Sequence, residues 1–325
     1  MEYRQLGRWG VRVSVIGLGS YLTIGHHVDT EEGRRIIERA YEGGVNFFDT
    51  ANAYNLGEAE KALGQYLKPF GRSSFVLASK VFAPMGKGPN DRGLSRKHVF
   101  EQCDASLKRL GTDYMDLYQC HRYDAQTPLE ETIHAMDDLI HQGKILYWGV
   151  SEWTALQIGD ACTYCERWGL NLPVSNQPRY SLLWRYPEKE VFPLCQAKGL
   201  GQVVFSPLAH GVLSGKYIPG APIPEGTRAA DASQNEIMMN LYFKEEILSR
   251  VQEMKRLAGE MSVATAQLAV AWILRRSTVS SVITGATRLE QLDDNLKAAE
   301  IKVPDEVAAR MEELFPVPDQ QLAAP

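Results

Sequence analysis

The first apolar run of the chain reads VSVIGLGS, residues 13–20, and continues through Tyr21 and Leu22; the reading of its two glycines decides the fold. In a doubly wound dinucleotide-binding sheet the first strand runs through a GxGxxG turn straight into a helix. The glycines there allow a tight turn and close approach of a pyrophosphate. Here Gly17 and Gly19 are followed by Tyr21 and Leu22 where the third glycine would fall, and helical periodicity resumes only in EEGRRIIERAYEGG (31–44). The stretch therefore reads as a strand and its loop, not as a dinucleotide fingerprint.

Seven similar runs follow: VNFFDTA (45–51), FVLASK (75–80), MDLYQCH (115–121), ILYWGVS (145–151), LPVSNQ (172–177), QVVFSP (202–207) and SSVITG (280–285). All are nearly continuously apolar, as parallel strands buried on both faces must be. Segments with apolar residues three and four apart separate them. The segment 31–44 follows Asp29 and Thr30, candidate caps; SRKHVFEQCDASLKRLG (95–111) opens at Ser95 and closes at Gly111; LEETIHAMDDLIHQG (129–143) follows Pro128. Comparable patterns cover 57–68, 154–168, 187–199, 262–276 and 288–299. Eight strand–helix units predict an α/β fold, a (β/α)8 TIM barrel, with residues 1–325 as a single domain. Residues 2–12 are expected to form a small polar hairpin closing the barrel floor. Residues 209–261 form an insertion after the seventh strand, on the active face, long enough to fold over a ligand. A helix near 304–314 and a loose tail at 316–325 complete the chain.

A net charge of -5 gives no basic surface, so no nucleic-acid partner is expected. No run reaches the length of a membrane span, and MEYRQLG at the N-terminus is not an apolar signal. The five cysteines suit a reducing compartment, and the cytoplasm is the expected location. Cys162 and Cys165, in CTYC, lie on one helix face and read as packing residues rather than a redox pair.

In such a barrel the chemistry sits at the C-terminal ends of the strands. Those ends read DTA, SK, QCH, GVS, SNQ and FSP, which brings Asp49, Lys80 and His121 to one rim with Tyr54 just beyond Asp49. Each alone has a bland explanation: a cap for Asp49, a solvent-seeking lysine, a surface tyrosine, a satisfied core histidine. Together they can polarise a carbonyl, receive its negative charge and supply a proton, with Lys80 expected to lower the Tyr54 pKa. That is chemistry for carbonyl reduction with hydride from a dinucleotide. No second histidine is spaced to join these groups around a metal. In ITGATRLEQLDDN (283–295), Gly285 and small residues precede a helix whose first-turn N–H groups can hold phosphate, with Arg288 adding charge.

These stretches together resemble the aldo-keto reductase superfamily, and within it a bacterial branch related to the voltage-gated potassium channel β subunits. The resemblance covers nearly the whole chain. It rests on DTANAYNLGEAEKALG (49–64), SLKRLGTDYMDLYQCH (106–121), GKILYWGVSEW (143–153) and GATRLEQLDDN (285–295). It implies Tyr54 as general acid/base, Asp49 and Lys80 as its tuning pair and His121 as the fourth member, at a position where channel β subunits commonly carry Asn. It implies Ser151, Asn176 and Gln177 as nicotinamide carboxamide contacts and Phe205 as the aromatic beside the cofactor. Ser206, Leu208, Gly211, Ser214 and Lys216 become the pyrophosphate segment, Arg228 lies near the adenosine end, and Gly285, Thr287, Arg288, Gln291, Asp294 and Asn295 form the eighth-strand cofactor region. Asn55 stands where a glycine is frequent, and Asp294 where glutamate is. With Arg288 and Arg228 at the adenosine end, NADP(H) is expected over NAD(H). Tyr21, Phe82, Trp153 and Tyr180 are the expected pocket lining, suited to an aromatic or short-chain aldehyde, with sugar aldehydes also open because His26, Arg122 and Arg179 lie on the rim. A channel-associated NADP(H)-binding regulatory protein with little turnover is the alternative. The branch includes monomers and ring-like homo-oligomers, and the helices do not choose between them.

Overall fold

Each of the eight apolar runs becomes one strand of a closed parallel barrel. The computed structural model describes residues 1–21, 23–25, 30–232 and 235–317; His26, Asp29 and most of the C-terminal tail, singled out above, lie outside them. A hairpin of β1 (Tyr3–Gln5) and β2 (Arg12–Ser14) precedes the barrel strands β3 (Ile16–Gly19), β4 (Phe47–Asp49), β5 (Val76–Val81), β6 (Met115–Cys120), β7 (Ile145–Ser151), β8 (Ser175–Gln177), β9 (Gly201–Val204) and β10 (Val279–Thr284). They pair in chain order, and β10 closes on β3. The helices are α1 (Thr30–Glu42), α2 (Glu58–Leu67), α3 (Arg96–Leu110), α4 (Leu129–His141), α5 (Ala155–Trp168), α6 (Val191–Lys198), α7 (Glu236–Leu241), α8 (Glu245–Glu260), α9 (Thr265–Leu274), α10 (Leu289–Lys297) and α11 (Asp305–Leu314). Among the described residues, no single helix is long and apolar enough to cross a membrane.

The helix ends follow the signals in the sequence. Ser95 Oγ accepts from the His98 N–H, and Gly111 ends α3 in the left-handed conformation (φ 66) that lets its N–H reach the Leu107 carbonyl. Thr154 and Gln157 cap each other's N–H groups at the start of α5. Cys162 and Cys165 are buried in the core-facing side of α5 as free thiols, and burial pushes their pKa values up to about 11 and about 12.

The hairpin closes the floor, but not as the polar element expected. Leu6 and Val13 are buried and join Phe47, Val76, Leu117, Val174 and Val203 in one cluster inside the barrel. The strand starts would otherwise open that interior to water, so the seal has to be apolar. It is tied down by the Arg8 N–H donating to the Gly199 carbonyl (2.9 Å) and by Ser280 Oγ donating to the Gln5 carbonyl (2.9 Å).

Candidate active site

The two-residue period of a strand fixes which side chains reach the inner rim. Phe47 faces the barrel interior, so Asp49 does also; Val76 and Ala78 are followed by Lys80, and Leu117 by Gln119 and then His121. Lys80 is fully buried and Asp49 is 2 % exposed. Lys80 Nζ donates to Asp49 Oδ2 (2.5 Å), to the Thr50 carbonyl (2.8 Å) and to the Tyr54 hydroxyl (3.2 Å). The other carboxylate oxygen, Asp49 Oδ1, accepts from Gln177 Nε2 (2.9 Å), which crosses the barrel from β8, and from Gln119 Nε2 (3.3 Å). The His121 ring stands edge-on to Tyr54 with centroids 5.7 Å apart. The structure therefore brings Asp49, Tyr54, Lys80 and His121 to one place.

Burial and pairing set their protonation. Burial of Lys80 favours its neutral form, but Asp49 and Tyr54 outweigh it, and its pKa is raised. Tyr54 is also raised, against the expectation of a lowered phenol: desolvation and the Asp49 charge together exceed the pull of Lys80. His121 is held well below its ordinary value by burial, Lys80 and Arg122, so its imidazole is neutral. At neutral pH the site is an ammonium–carboxylate pair beneath a protonated phenol and a neutral imidazole.

The residues after Tyr54 hold it there. Asn55 takes the left-handed conformation (φ 48, ψ 44) that a glycine would supply, which an Asn side chain tolerates, and its Nδ2 donates to the Gly25 carbonyl (2.6 Å). Gly57 has φ 92, and a Cβ there would stand 2.6 Å from Arg109 Cδ. Arg109 Nε in turn donates to the buried Glu60 Oε2 (2.6 Å), whose Oε1 accepts from Ser79 Oγ (2.5 Å), one residue before Lys80. Gly64 lets α2 approach α3 so closely that a Cβ would fall 2.3 Å from the Leu110 carbonyl oxygen. The motif thus clamps the Tyr54 loop to β5 and α3.

Gln119 was not singled out in the sequence, although a Gln two residues before His121 inside an apolar strand has the parity to find it. Two residues lie elsewhere than expected. Asn176 faces outward, as its position next to inward Gln177 requires: its Nδ2 donates to Gln202 Oε1 (3.2 Å), and Gln202 adjoins Cys195 of α6. Tyr180 is fully buried against Phe192 and Trp272, with its hydroxyl donating to Glu188 (2.8 Å), so it belongs to the core rather than the mouth. Trp153 is buried edge-on to Tyr123, and Phe82 is half-buried. Tyr21 is exposed, tilted over Tyr54 with ring centroids 4.9 Å apart, and a cavity of about 110 Å³ opens between Ser20, Tyr21, Ile24, Ala53, Tyr54, Asn55 and Ala59.

The other predicted contacts border the same face. Ser151 Oγ donates to the Gln177 carbonyl (2.9 Å). Beyond Phe205 the chain enters the left-handed region at Ser206, Ala209, His210 and Gly211 (φ 56, 45, 59 and 95). For the three non-glycine residues this costs about 1–2 kcal/mol each. Leu208 precedes the short 3₁₀ segment, Ser214 Oγ donates back to the Gly211 carbonyl (2.7 Å), and Lys216 Nζ lies close above Gly211. Arg228 is partly buried near Tyr21, Tyr217 and Asp231. At the start of α10, Arg288 is exposed and extended (φ -150, ψ 151) and caps no N–H with its side chain. Thr287 N–H and Oγ1 both donate to Gln291 Oε1 (2.9 and 3.0 Å), Asn295 Nδ2 donates to the Gly285 carbonyl (3.4 Å), and Asp294 accepts from Gln267 Nε2 (3.3 Å).

Comparison with known proteins agrees with this geometry. The sequence model described as "Aldo/keto reductase family" matches residues 15–315. A protein of Arabidopsis thaliana named "Probable voltage-gated potassium channel subunit beta" is 44% identical over 304 residues, covering 93% of this chain and 92% of its own. One of the same name from Oryza sativa subsp. japonica is also 44% identical over 304 residues, with the same coverage. A "Putative voltage-gated potassium channel subunit beta" of Schizosaccharomyces pombe is 40% identical over 324 residues, 97% of this chain and 93% of its own. The chain belongs to the aldo/keto reductase family, a family of NADP-linked oxidoreductases.

Proposed function

We propose that the protein reduces aldehydes and ketones to alcohols, reversibly, with NADPH, and that Tyr54 supplies the proton. The observation that carries this is the buried relay from Asp49 through Lys80 to the Tyr54 hydroxyl. A carbonyl oxygen held between Tyr54 and His121, whose ring centroids stand 5.7 Å apart, would meet two donors, the Tyr54 hydroxyl and the neutral His121 ring. Because the Tyr54 phenol is kept protonated, it can give its proton as charge develops on that oxygen. Lys80 then stands 3.2 Å from the phenolate left behind, and Asp49 keeps Lys80 charged and aimed.

The coenzyme supplies the hydride when bound, and the residues at the rim fit it. Gln177 spends its Nε2 on Asp49 and Gln119, which leaves its Oε1 to accept from a carboxamide, with Ser151 beside it. The run of left-handed residues at 206–211, with Lys216 over it, offers backbone N–H groups and a cation to a phosphate bridge. The uncapped first turn of α10 with exposed Arg288 suits the 2′-phosphate, which favours NADP(H) over NAD(H). Residues 209–261 would cover the bound coenzyme. Small apolar or aromatic aldehydes suit the Tyr21–Tyr54 cavity.

The relatives' names favour a second reading, an NADP(H)-binding regulatory subunit with little turnover. Loss of absorbance at 340 nm with NADPH and a panel of aldehydes separates the two. Turnover of several aldehydes supports the reductase; NADPH binding without turnover across the panel supports the regulatory subunit.

A further inference from the structure

Away from the Asp49–Lys80 pair, one group of side chains is poorly satisfied. Arg179 is 6 % exposed, yet its Nε and Nη1 have no hydrogen-bond partner, and it forms no ion pair among the described residues. Its guanidinium lies over the Trp184 ring (4.7 Å) and near that of Phe205 (6.0 Å), and β-bridge pairing sets its backbone beside Phe205. Tyr242, just past α7, points its buried hydroxyl, which has no partner of good hydrogen-bond geometry, into the same space, and the charge and hydrogen bonding of Arg179 oppose the rise that burial imposes on its pKa. His210 is tilted against Tyr242 with ring centroids 6.0 Å apart, and both of its ring nitrogens are buried without partners. Burial, Arg228 and Arg179 push the His210 pKa down to about 3.

Five of the buried polar atoms that lack partners therefore sit on three neighbouring side chains. The guanidinium and the phenol are donors, and the imidazole donates from at least one nitrogen. Glu152 acts on the electrostatics of Tyr242, but its Oε1 is engaged by the Arg179 backbone N–H (2.6 Å). Stacking on aromatic rings offsets only part of the cost of burying an arginine charge. What the cluster lacks is an acceptor carrying negative charge.

We propose that Arg179, His210 and Tyr242 form an oxyanion site beside Trp184 and Phe205, taking a phosphate oxygen of the dinucleotide or a carboxylate of the substrate. The site rests on the reductase reading above. It adds a residue after β8, Arg179, to the ligand-binding machinery and makes that residue a determinant of affinity.

The test uses the full-length chain with Arg179→Met, which keeps the stem and removes the charge. NADPH affinity is measured by quenching of protein fluorescence, and KM is measured for benzaldehyde and 4-carboxybenzaldehyde. Loss of a charge-assisted contact predicts a change of about tenfold or more in one of the two readouts. A higher NADPH Kd assigns the site to the dinucleotide phosphate. An increased ratio of the 4-carboxybenzaldehyde KM to the benzaldehyde KM, at constant NADPH Kd, assigns it to a substrate carboxylate. If both readouts change by less than about threefold, the proposal is wrong and Arg179 is a packing residue. Should Arg179→Met fail to fold, Tyr242→Phe, which removes a single oxygen, is read against the same threefold limit. A wild-type chain that neither binds NADPH nor reduces benzaldehyde refutes the reductase reading itself; a working wild type with an indifferent variant refutes only this site.

Discussion

Replacing Lys80 by Met tests the relay and its energetics together. Methionine keeps most of the stem volume but removes a fully buried ammonium that donates to Asp49, Thr50 and Tyr54. Asp49, 2 % exposed, is left with the Gln177 and Gln119 amides and no cation. Breaking a buried ion pair from one side costs about 3–5 kcal/mol, which for a chain of 325 residues lowers Tm by about 4–7 °C. The stranded carboxylate is relieved by taking up a proton, so the deficit relative to wild type should shrink as the pH falls. The double variant Lys80→Met/Asp49→Asn, which removes the stranded charge, should regain most of the lost stability and none of the turnover. The assays are thermal melts at pH 7 and 5 and NADPH consumption with a good aldehyde. The reasoning is refuted if the single variant melts with the wild type, or if the double variant is as unstable as the single one.

Arg288→Ala should raise the NADPH Kd by roughly 10- to 150-fold and leave that for NADH nearly unchanged; calorimetric titration with both coenzymes checks this, and a difference under about twofold removes Arg288 from the 2′-phosphate. Gly64→Ala should destabilise the fold by about 1–3 kcal/mol or more, because its Cβ would collide with the Leu110 carbonyl; a denaturant midpoint equal to wild type contradicts the close α2–α3 approach. The folded-state pKa values of His121 and His210 lie below the unfolded value of about 6.5, so below that pH the unfolded chain binds more protons and stability falls. Each histidine should contribute a loss of up to about 1.4 kcal/mol per pH unit as pH drops from about 6.5; denaturant melts that give equal stability at pH 7 and pH 5 would count against two buried neutral imidazoles.

The sequence was most informative where one physical constraint acted alone. Strands buried on both faces leave apolar runs, and all eight barrel strands were visible for that reason, Ile145–Ser151 to the residue. Asp49, Lys80 and His121 could be placed on one rim because a barrel fixes which strand ends meet. The tertiary balance of charges was not visible: the Tyr54 pKa depends on how desolvation and Asp49 compare with Lys80, and only the packed site sets that. Side-chain direction within short polar strand ends was also hidden. In SNQ, the parity that turns Gln177 inward sends Asn176 to the helix layer, and a reading by residue type alone treats the two alike. Tyr180 has an aromatic's composition for a pocket, but Glu188 accepts from its hydroxyl and holds it in the core. A polar hairpin is expected over 2–12, whereas buried Leu6 and Val13 do the sealing.

The central claim is that the Tyr54 hydroxyl gives the proton in carbonyl reduction, and single-turnover reduction of one good aldehyde by wild type and Tyr54→Phe, at saturating NADPH, tests it most directly. The substitution keeps the ring beneath Tyr21 and removes only the oxygen that Lys80 contacts at 3.2 Å. The account predicts hydride transfer slower by roughly 10²-fold or more, with the NADPH Kd nearly unchanged. Equal single-turnover rates in the two proteins, with hydride transfer rate-limiting, would contradict it.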